Sequence, residues 1–141
     1  ALYYAKKASA SSTIIMTLGL QSSSYVLATL HRAQNTDSAE RLAGILEGLG
    51  RSELPVILPL HPRTKNALEV HRISIPKNIT IIEPVGYLDM IMLEKNAAVI
   101  ATDSGGVQKE AYFYDVPCII MRDETEWVEL IDYNCNALVG A

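Results

Sequence analysis

Ala98-Val99-Ile100-Ala101-Thr102-Asp103-Ser104-Gly105-Gly106-Val107-Gln108-Lys109-Glu110 passes from a short apolar run, through a polar turn with two adjacent glycines, into a segment of helical period. The same succession recurs along the chain. Strand candidates at 25–29, 56–60, 79–82, 118–121 and 137–139 join the one at 98–101 to make six, with longer helical segments between them. Apolar runs alternating with helical segments are the signature of a parallel sheet flanked by helices, so the expected fold is α/β, a Rossmann-like doubly wound sheet.

Working outward, Asp37 with Glu40 three residues on has the form of a capping box; Leu42, Ile45, Leu46 and Leu49 then share one helical face, and Gly50 reads as the stop. Leu88, Ile91 and Met92 predict a helix after the third strand. Residues 105–114 predict one after the fourth, 126–132 one after the fifth, and 64–72 one after the second. Pro55, Pro76, Pro84 and Pro117 fall at strand edges or in loops, where a missing N–H costs least. Residues 1–24, Ser-rich at Ser9, Ser11, Ser12 and Ser22 to Ser24, read as a segment leading into a domain at 25–141. No internal repeat is visible.

The whole chain narrows the function. Its 141 residues suit one domain with a core of its own. With 49% hydrophobic and 20% charged residues, and no apolar stretch of spanning length, it reads as a soluble globular protein without a membrane partner. A net charge of -4 without a Lys/Arg block argues against nucleic acid, whose phosphates demand a positive stripe. Two cysteines, Cys118 in an apolar run and Cys135 near the end, fit a reducing compartment, and residues 1–7 lack the features of a signal peptide. A cytoplasmic location follows. The absence of an initial Met and an end just after a short apolar run suggest a piece of something longer.

The chemically capable residues follow the strands at their C-terminal ends, where open α/β sheets bind ligands. His31 and Arg32 follow the first strand, His61 and Arg63 the second, Glu83 the third, Asp103 and Ser104 the fourth, and Arg122 the fifth. A strand order of 3-2-1-4-5-6 opens a crevice between strands one and four, with His31 opposite Asp103-Ser104-Gly105-Gly106. At that turn the glycines leave backbone N–H groups and a helix N-terminus open to an anion, and the Ser104 hydroxyl adds a donor. Glu110, further into the helix, can accept from a sugar diol. A plain Asp/Ser cap with glycines for tight packing fits the same residues.

Other elements carry similar pairs of readings. His31 beside Arg32 suits a diphosphate that must leave or be reprotonated, yet a hydrogen-bonded loop histidine and a surface ion pair read as well. His61 before Pro62 is as readily a turn residue, and His71 reads as a helix-surface residue. Arg122-Asp123-Glu124-Thr125-Glu126-Trp127 is either a lid or a charged loop with Thr125 as a cap. Glu83-Pro84-Val85-Gly86-Tyr87 can offer backbone groups to a base edge, or Tyr87 simply packs.

Several chemistries lose ground. No Gly-x-Gly-x-x-Gly follows a strand and no Gly-Lys-Ser/Thr ends a glycine loop, which disfavours nicotinamide and ATP sites. The histidines and cysteines lack ligand spacing, so no metal is expected. Ser104 lacks the Gly-x-Ser-x-Gly elbow of a nucleophile.

Six stretches in order, Thr29-Leu30-His31-Arg32-x-x-Asn35, His61-Pro62-Arg63-Thr64, Glu83-Pro84-x-Gly86-Tyr87-Leu88, Thr102-Asp103-Ser104-Gly105-Gly106-x-Gln108-x-Glu110-Ala111, Arg122-x-x-Thr125-Glu126 and Asn136-x-Leu138-Val139-Gly140, resemble the second domain of the non-hydrolysing UDP-N-acetylglucosamine 2-epimerases. The resemblance implies one half of a GT-B-like enzyme of two Rossmann-like domains, with residues 1–24 leading from a first domain absent from this chain. It implies that Ser104, Gly105 and Gly106 hold a diphosphate, Glu110 the ribose, and backbone around Leu88 to Met90 the uracil, with Arg122 also at the substrate and His31 needed for activity. It further implies a second, activating nucleotide near Arg32 and His61, a homodimer as the full-length enzyme, and no cofactor. The implied reaction interconverts UDP-N-acetylglucosamine and UDP-N-acetylmannosamine by eliminating and re-adding UDP, with the acidic groups that work at C2 supplied by the first domain. Gln34, Lys109, Val128 and Tyr133-Asn134-Cys135 depart from the family's usual residues. A GT-B glycosyltransferase domain and a non-catalytic nucleotide-sugar module are the alternatives.

Overall fold

A computed structural model describes residues 2–123 and 136–139. Its sheet has six strands: β1 Val26–Thr29, β2 Val56–Pro59, β3 Ile79–Ile82, β4 Val99–Thr102, β5 Cys118–Met121 and β6 Asn136–Val139. All pair in parallel, in the order β3-β2-β1-β4-β5-β6. The predicted order is therefore the observed one. The bounds differ slightly: Tyr25 and Leu60 lie outside their strands, Asn136 lies inside β6, and β4 runs from Val99 through Thr102 where 98–101 was expected.

Between and before the strands lie α1 Leu2–Ser11, α2 Ile14–Thr17, α3 Ala33–Thr36, α4 Ala39–Gly50, α5 Pro62–His71, α6 Tyr87–Asn96 and α7 Gly105–Phe113. One face of the sheet packs Val26, Ala28, Val56 and Leu58 against Leu42, Ile45 and Leu46 of α4 and Ala67 and Leu68 of α5. The other packs Leu27, Ile57, Ile100, Cys118 and Ile120 against Leu93 of α6 and Ala111 of α7. Alternate residues of each strand thus feed opposite cores, the period of two expected of a pleated strand covered on both sides. Each fully buried Leu or Ile contributes about 1.5–3 kcal/mol. Residues 126–132, expected as a helix, lie outside the described residues.

The segment before β1 is helical, which its composition did not announce. Ala5 and Ala8 of α1 meet Ile91 of α6, and Ser12 donates to Asp89 at 2.6 Å. Ile14, Ile15, Leu18 and Leu20 extend the second core. Small side chains on α1 let it approach α6 closely but give a weak apolar stripe.

Two local expectations are corrected. Ser38, and not Asp37, caps α4, its hydroxyl accepting from the Arg41 N–H at 3.3 Å, while Asp37 closes α3. Adjacent Asp and Ser are both good N-caps, and the end of α3 takes the first of them. Gly50 is the last residue of α4, not a left-handed stop, since Gly19 is the glycine described with positive φ. A Cβ on Gly50 would lie 2.8 Å from the Pro76 ring, and Asn78 reaches the Leu49 carbonyl at 3.1 Å to finish the helix. Close approach of the β3 lead-in is what requires the glycine. Gly50→Ala should destabilise by about 1–3 kcal/mol in urea denaturation. Gly44→Ala and Gly48→Ala, where nothing lies within 4 Å of an added Cβ, should be neutral or stabilising.

Candidate functional site

The turn after β4 and the loop after β1 meet because the strands pair in register, Thr29 opposite Thr102. The two threonine hydroxyls are hydrogen bonded to each other, and the Thr102 hydroxyl also accepts from the Ser104 N–H at 2.9 Å. Beyond them sits Asp103, fully buried. Its carboxylate accepts from the N–H of His31 at 3.1 Å, the N–H of Arg32 at 2.9 Å and the Asn35 amide at 3.1 Å. Three donors compensate a charge that would be costly to bury alone. The loop after β1 is thereby fastened to β4, and Asn35 carries the link on to the Met121 carbonyl of β5 at 2.9 Å.

His31 faces this carboxylate with its ring. Its Nδ1 lies 3.3 Å from Asp103 Oδ1, and its ring centre 5.5 Å from that of His61. Burial pulls its pKa below the ordinary imidazole value; Asp103 pushes the other way, and His61, Arg32 and Arg63 add to the lowering. The ring is therefore neutral at pH 7, and the carboxylate favours the proton on Nδ1, leaving the Nε2 lone pair free to take a proton.

Ser104 is the N-cap of α7, but its side chain makes no capping hydrogen bond. The first N–H groups of a helix lack intrahelical partners, so this N-terminus presents unsatisfied donors and the positive end of a dipole. A Cβ on Gly106 would meet only the Ser104 Oγ, at 3.8 Å, so packing inside the protein does not demand a glycine there. Tight packing thus fails as a reason for Gly106.

A cavity of about 240 Å³ opens over these groups, lined by His31, His61, Ser104, Val107, Pro84 and Met90 among others. The structure thus gathers His31, His61, Ser104 and Met90 around one crevice. The Met90 amide is committed within α6 to the Gly86 carbonyl at 2.9 Å, so what it turns to the cavity is its side chain. Leu88 packs instead toward α1, beside Ala5 and Ile91. Glu110 is half-buried on α7 and accepts from the Tyr87 hydroxyl at 3.2 Å. Arg32 is exposed and contributes its backbone N–H, and half-buried Arg122 follows β5.

His61 is the turn residue its sequence allows: Nδ1 accepts from the Arg63 N–H at 3.2 Å to cap α5, which starts at Pro62 and not at Thr64, and the residue also lines the cavity. His71 is not a free surface residue; its Nε2 lies 3.2 Å from the Thr36 carbonyl, tying α5 to α3. Gln34, a departure from the family pattern, donates to Asp123 at 3.0 Å, a contact a glutamate would turn into repulsion. The Cys118 thiol is buried and pushed up to about 12 by desolvation, which keeps it protonated and inert. Among the described residues no group of His, Cys, Asp and Glu could hold a metal ion, and no helix is long and apolar enough to cross a membrane.

The sequence motifs hold both Asp103 and Asn35 but do not pair them. The signal was present: a polar pair at the ends of two strands expected to be neighbours.

Known proteins resemble this chain in sequence and in fold. A family model described as UDP-N-acetylglucosamine 2-epimerase matches residues 1–141. The chain is 48% identical over 145 residues to the UDP-2,3-diacetamido-2,3-dideoxy-D-glucuronate 2-epimerase of Pseudomonas aeruginosa, spanning 100% of this chain and 39% of that protein. The solved structure of Methanocaldococcus jannaschii UDP-GlcNAc 2-epimerase in complex with UDP-GlcNAc and UDP matches with a TM-score of 0.90 at 44% identity, over 99% of this chain and 41% of that one. An E. coli heptosyltransferase with ADP, 12% identical with a TM-score of 0.59 over 84% of this chain and 38% of that one, shares the fold alone.

Removing the Asp103 carboxylate strands three donors. Asp103→Ala should cost about 3 kcal/mol or more in urea denaturation. Loss of the favourable charge should also lower the His31 pKa further, followed by NMR titration of the imidazole.

Proposed function

Because the chain belongs to the UDP-N-acetylglucosamine 2-epimerase family, we propose that it is the nucleotide-holding half of an enzyme interconverting UDP-N-acetylglucosamine and UDP-N-acetylmannosamine, joined through residues 1–24 to a first domain. The chain spans 39% of the length of its Pseudomonas relative, and catalysis is assigned here to the longer protein. The observation that carries this reading is the uncapped helix N-terminus at Ser104 to Val107 facing a neutral histidine across one crevice.

In this reading the diphosphate sits on the N–H groups of Gly105 and Gly106 and the Ser104 hydroxyl, Glu110 accepts from the ribose, and backbone around Leu88 to Met90 meets the uracil. Loss of the C2 proton to a carboxylate of the first domain and cleavage of the C1–O bond give UDP and an unsaturated acetamido sugar. Addition of UDP across the double bond, with the proton returned to the other face of C2, inverts that centre. His31 acts on the phosphate side. The negative charge of the diphosphate raises the pKa of a nearby imidazole, so His31 takes up a proton as UDP binds and donates a hydrogen bond to the phosphate oxygen that carries the developing charge.

A second reading, a UDP-diacetamido-glucuronate substrate, is favoured by the name of the Pseudomonas relative. The two share the UDP half-site and differ in groups on the sugar ring.

Calorimetry of the full-length protein with UDP should show Ser104→Ala, Glu110→Ala and His31→Ala each weakening binding by about 5- to 100-fold. Unchanged affinity in Glu110→Ala, or no binding at millimolar UDP, would refute the assigned site. Binding should take up protons in the wild type and not in His31→Ala, so affinity should fall as pH rises above neutrality. Turnover should incorporate solvent deuterium at C2 of whichever UDP-sugar is the substrate; a protein that exchanges neither is not an epimerase of this kind.

A further inference from the structure

Glu94 is a charged residue type in the second core. It is fully buried, and neither carboxyl oxygen meets a hydrogen-bond donor among the described residues. It lies on α6, which packs against α7, and the charge of Glu110 on α7 acts on it. Two ionised carboxylates cannot hydrogen bond each other; one proton between them makes the contact favourable. The buried member is the one that keeps the proton, because desolvation penalises its charged form most.

We propose that Glu94 is a positioning residue for the ribose site: its protonated carboxyl donates to Glu110 and, with the Tyr87 hydroxyl on Glu110 Oε1, fixes that carboxylate as an acceptor for the ribose hydroxyls. The inference rests on the reading of Glu110 as the ribose-binding group. Three observations support it. Tyr87 is itself braced by α1, its ring 5.6 Å from that of Tyr4, so the second donor on Glu110 is held in place. Burial, then the charge of Glu110 and the hydrogen bond to it, push the Glu94 pKa up to about 9. The groups facing Glu94 are Glu110 on α7, Tyr114 at its end, Tyr87 on α6 and Cys118 on β5, and none of these carries a positive charge.

The arrangement resolves a difficulty of the ribose reading. Glu110 is half-buried on the helix whose N-terminus is assigned the diphosphate, and a carboxylate free to turn would repel the phosphates. Tied from behind and from the side, it can offer only its remaining lone pairs, which suit a vicinal diol.

The test is calorimetry on the full-length protein with UDP and with 2′,3′-dideoxyuridine diphosphate, for the wild type, Glu94→Gln, Glu94→Leu and Glu110→Ala. Glutamine keeps a donor toward Glu110, so Glu94→Gln should hold UDP about as tightly as the wild type. Glu94→Leu should lose about tenfold in UDP affinity and most of the preference for UDP over the dideoxy analogue, while binding the analogue like the wild type. A purely structural defect would weaken both ligands alike and overturn the proposal, as would wild-type discrimination in Glu94→Leu or a Glu94→Gln as poor as the leucine. If Glu110→Ala itself keeps full discrimination, the ribose assignment fails first. Unfolding adds an independent readout. A carboxyl protonated when folded and ionised when unfolded makes stability fall as pH rises from about 4.5 to about 9. Glu94→Gln should remove that contribution to the slope, and an unchanged slope would show that Glu94 is not held protonated.

Discussion

The carboxylate of Asp103 has no access to water, and its hydrogen bonds come from one short loop, residues 31–35, more than sixty positions earlier. A buried anion is tolerable only while its donors stay, so that loop cannot leave without stranding a charge. From this contact the rest of the crevice follows. His31 is aimed because its N–H and Nδ1 both address Asp103. Asn35 passes the constraint to the end of β5, and its carbonyl receives Arg41, which also pairs with Asp123 at 3.3 Å. The rim of the sheet from β1 to β5 is one hydrogen-bonded piece.

Asp103 and Glu94 answer the same problem in opposite ways. One buried carboxyl is surrounded by donors and serves as an acceptor; the other has an acceptor for a neighbour and serves as a donor. Asp103 sits behind His31, which lines the crevice, and Glu94 sits behind Glu110 on α7. The polarity of the visible site is set from inside the fold.

The sheet order and the position of the crevice could be read from the sequence because they depend on periodicity and on which strand ends carry polar residues, both local properties. What could not be read depended on distant partners. Asp37 and Ser38 are equally good caps until α3 claims one. Gly50 looks like a helix stop unless Pro76 is known to lie against it. Glu94 precedes Lys95 in a helix with charged residues at several turns, and nothing local tells that one points into the core while the other is exposed. For Asp103 the sequence showed the acceptor and the donors, but pairing them needed the register of Thr29 against Thr102.

That register has a kinetic consequence. β1 and β4, the central pair, are joined across 73 positions, and every other pairing is a parallel crossover. Contacts of such sequence separation form late, after the loop-closure entropy between them has been overcome. A chain emerging from the ribosome with β1, α3 and α4 complete therefore has its histidine but nothing to orient it. The contact that orients it arrives when β4 enters beside β1 and brings Asp103 and the α7 N-terminus with it. For this fold, assembling the crevice and closing the sheet are one event.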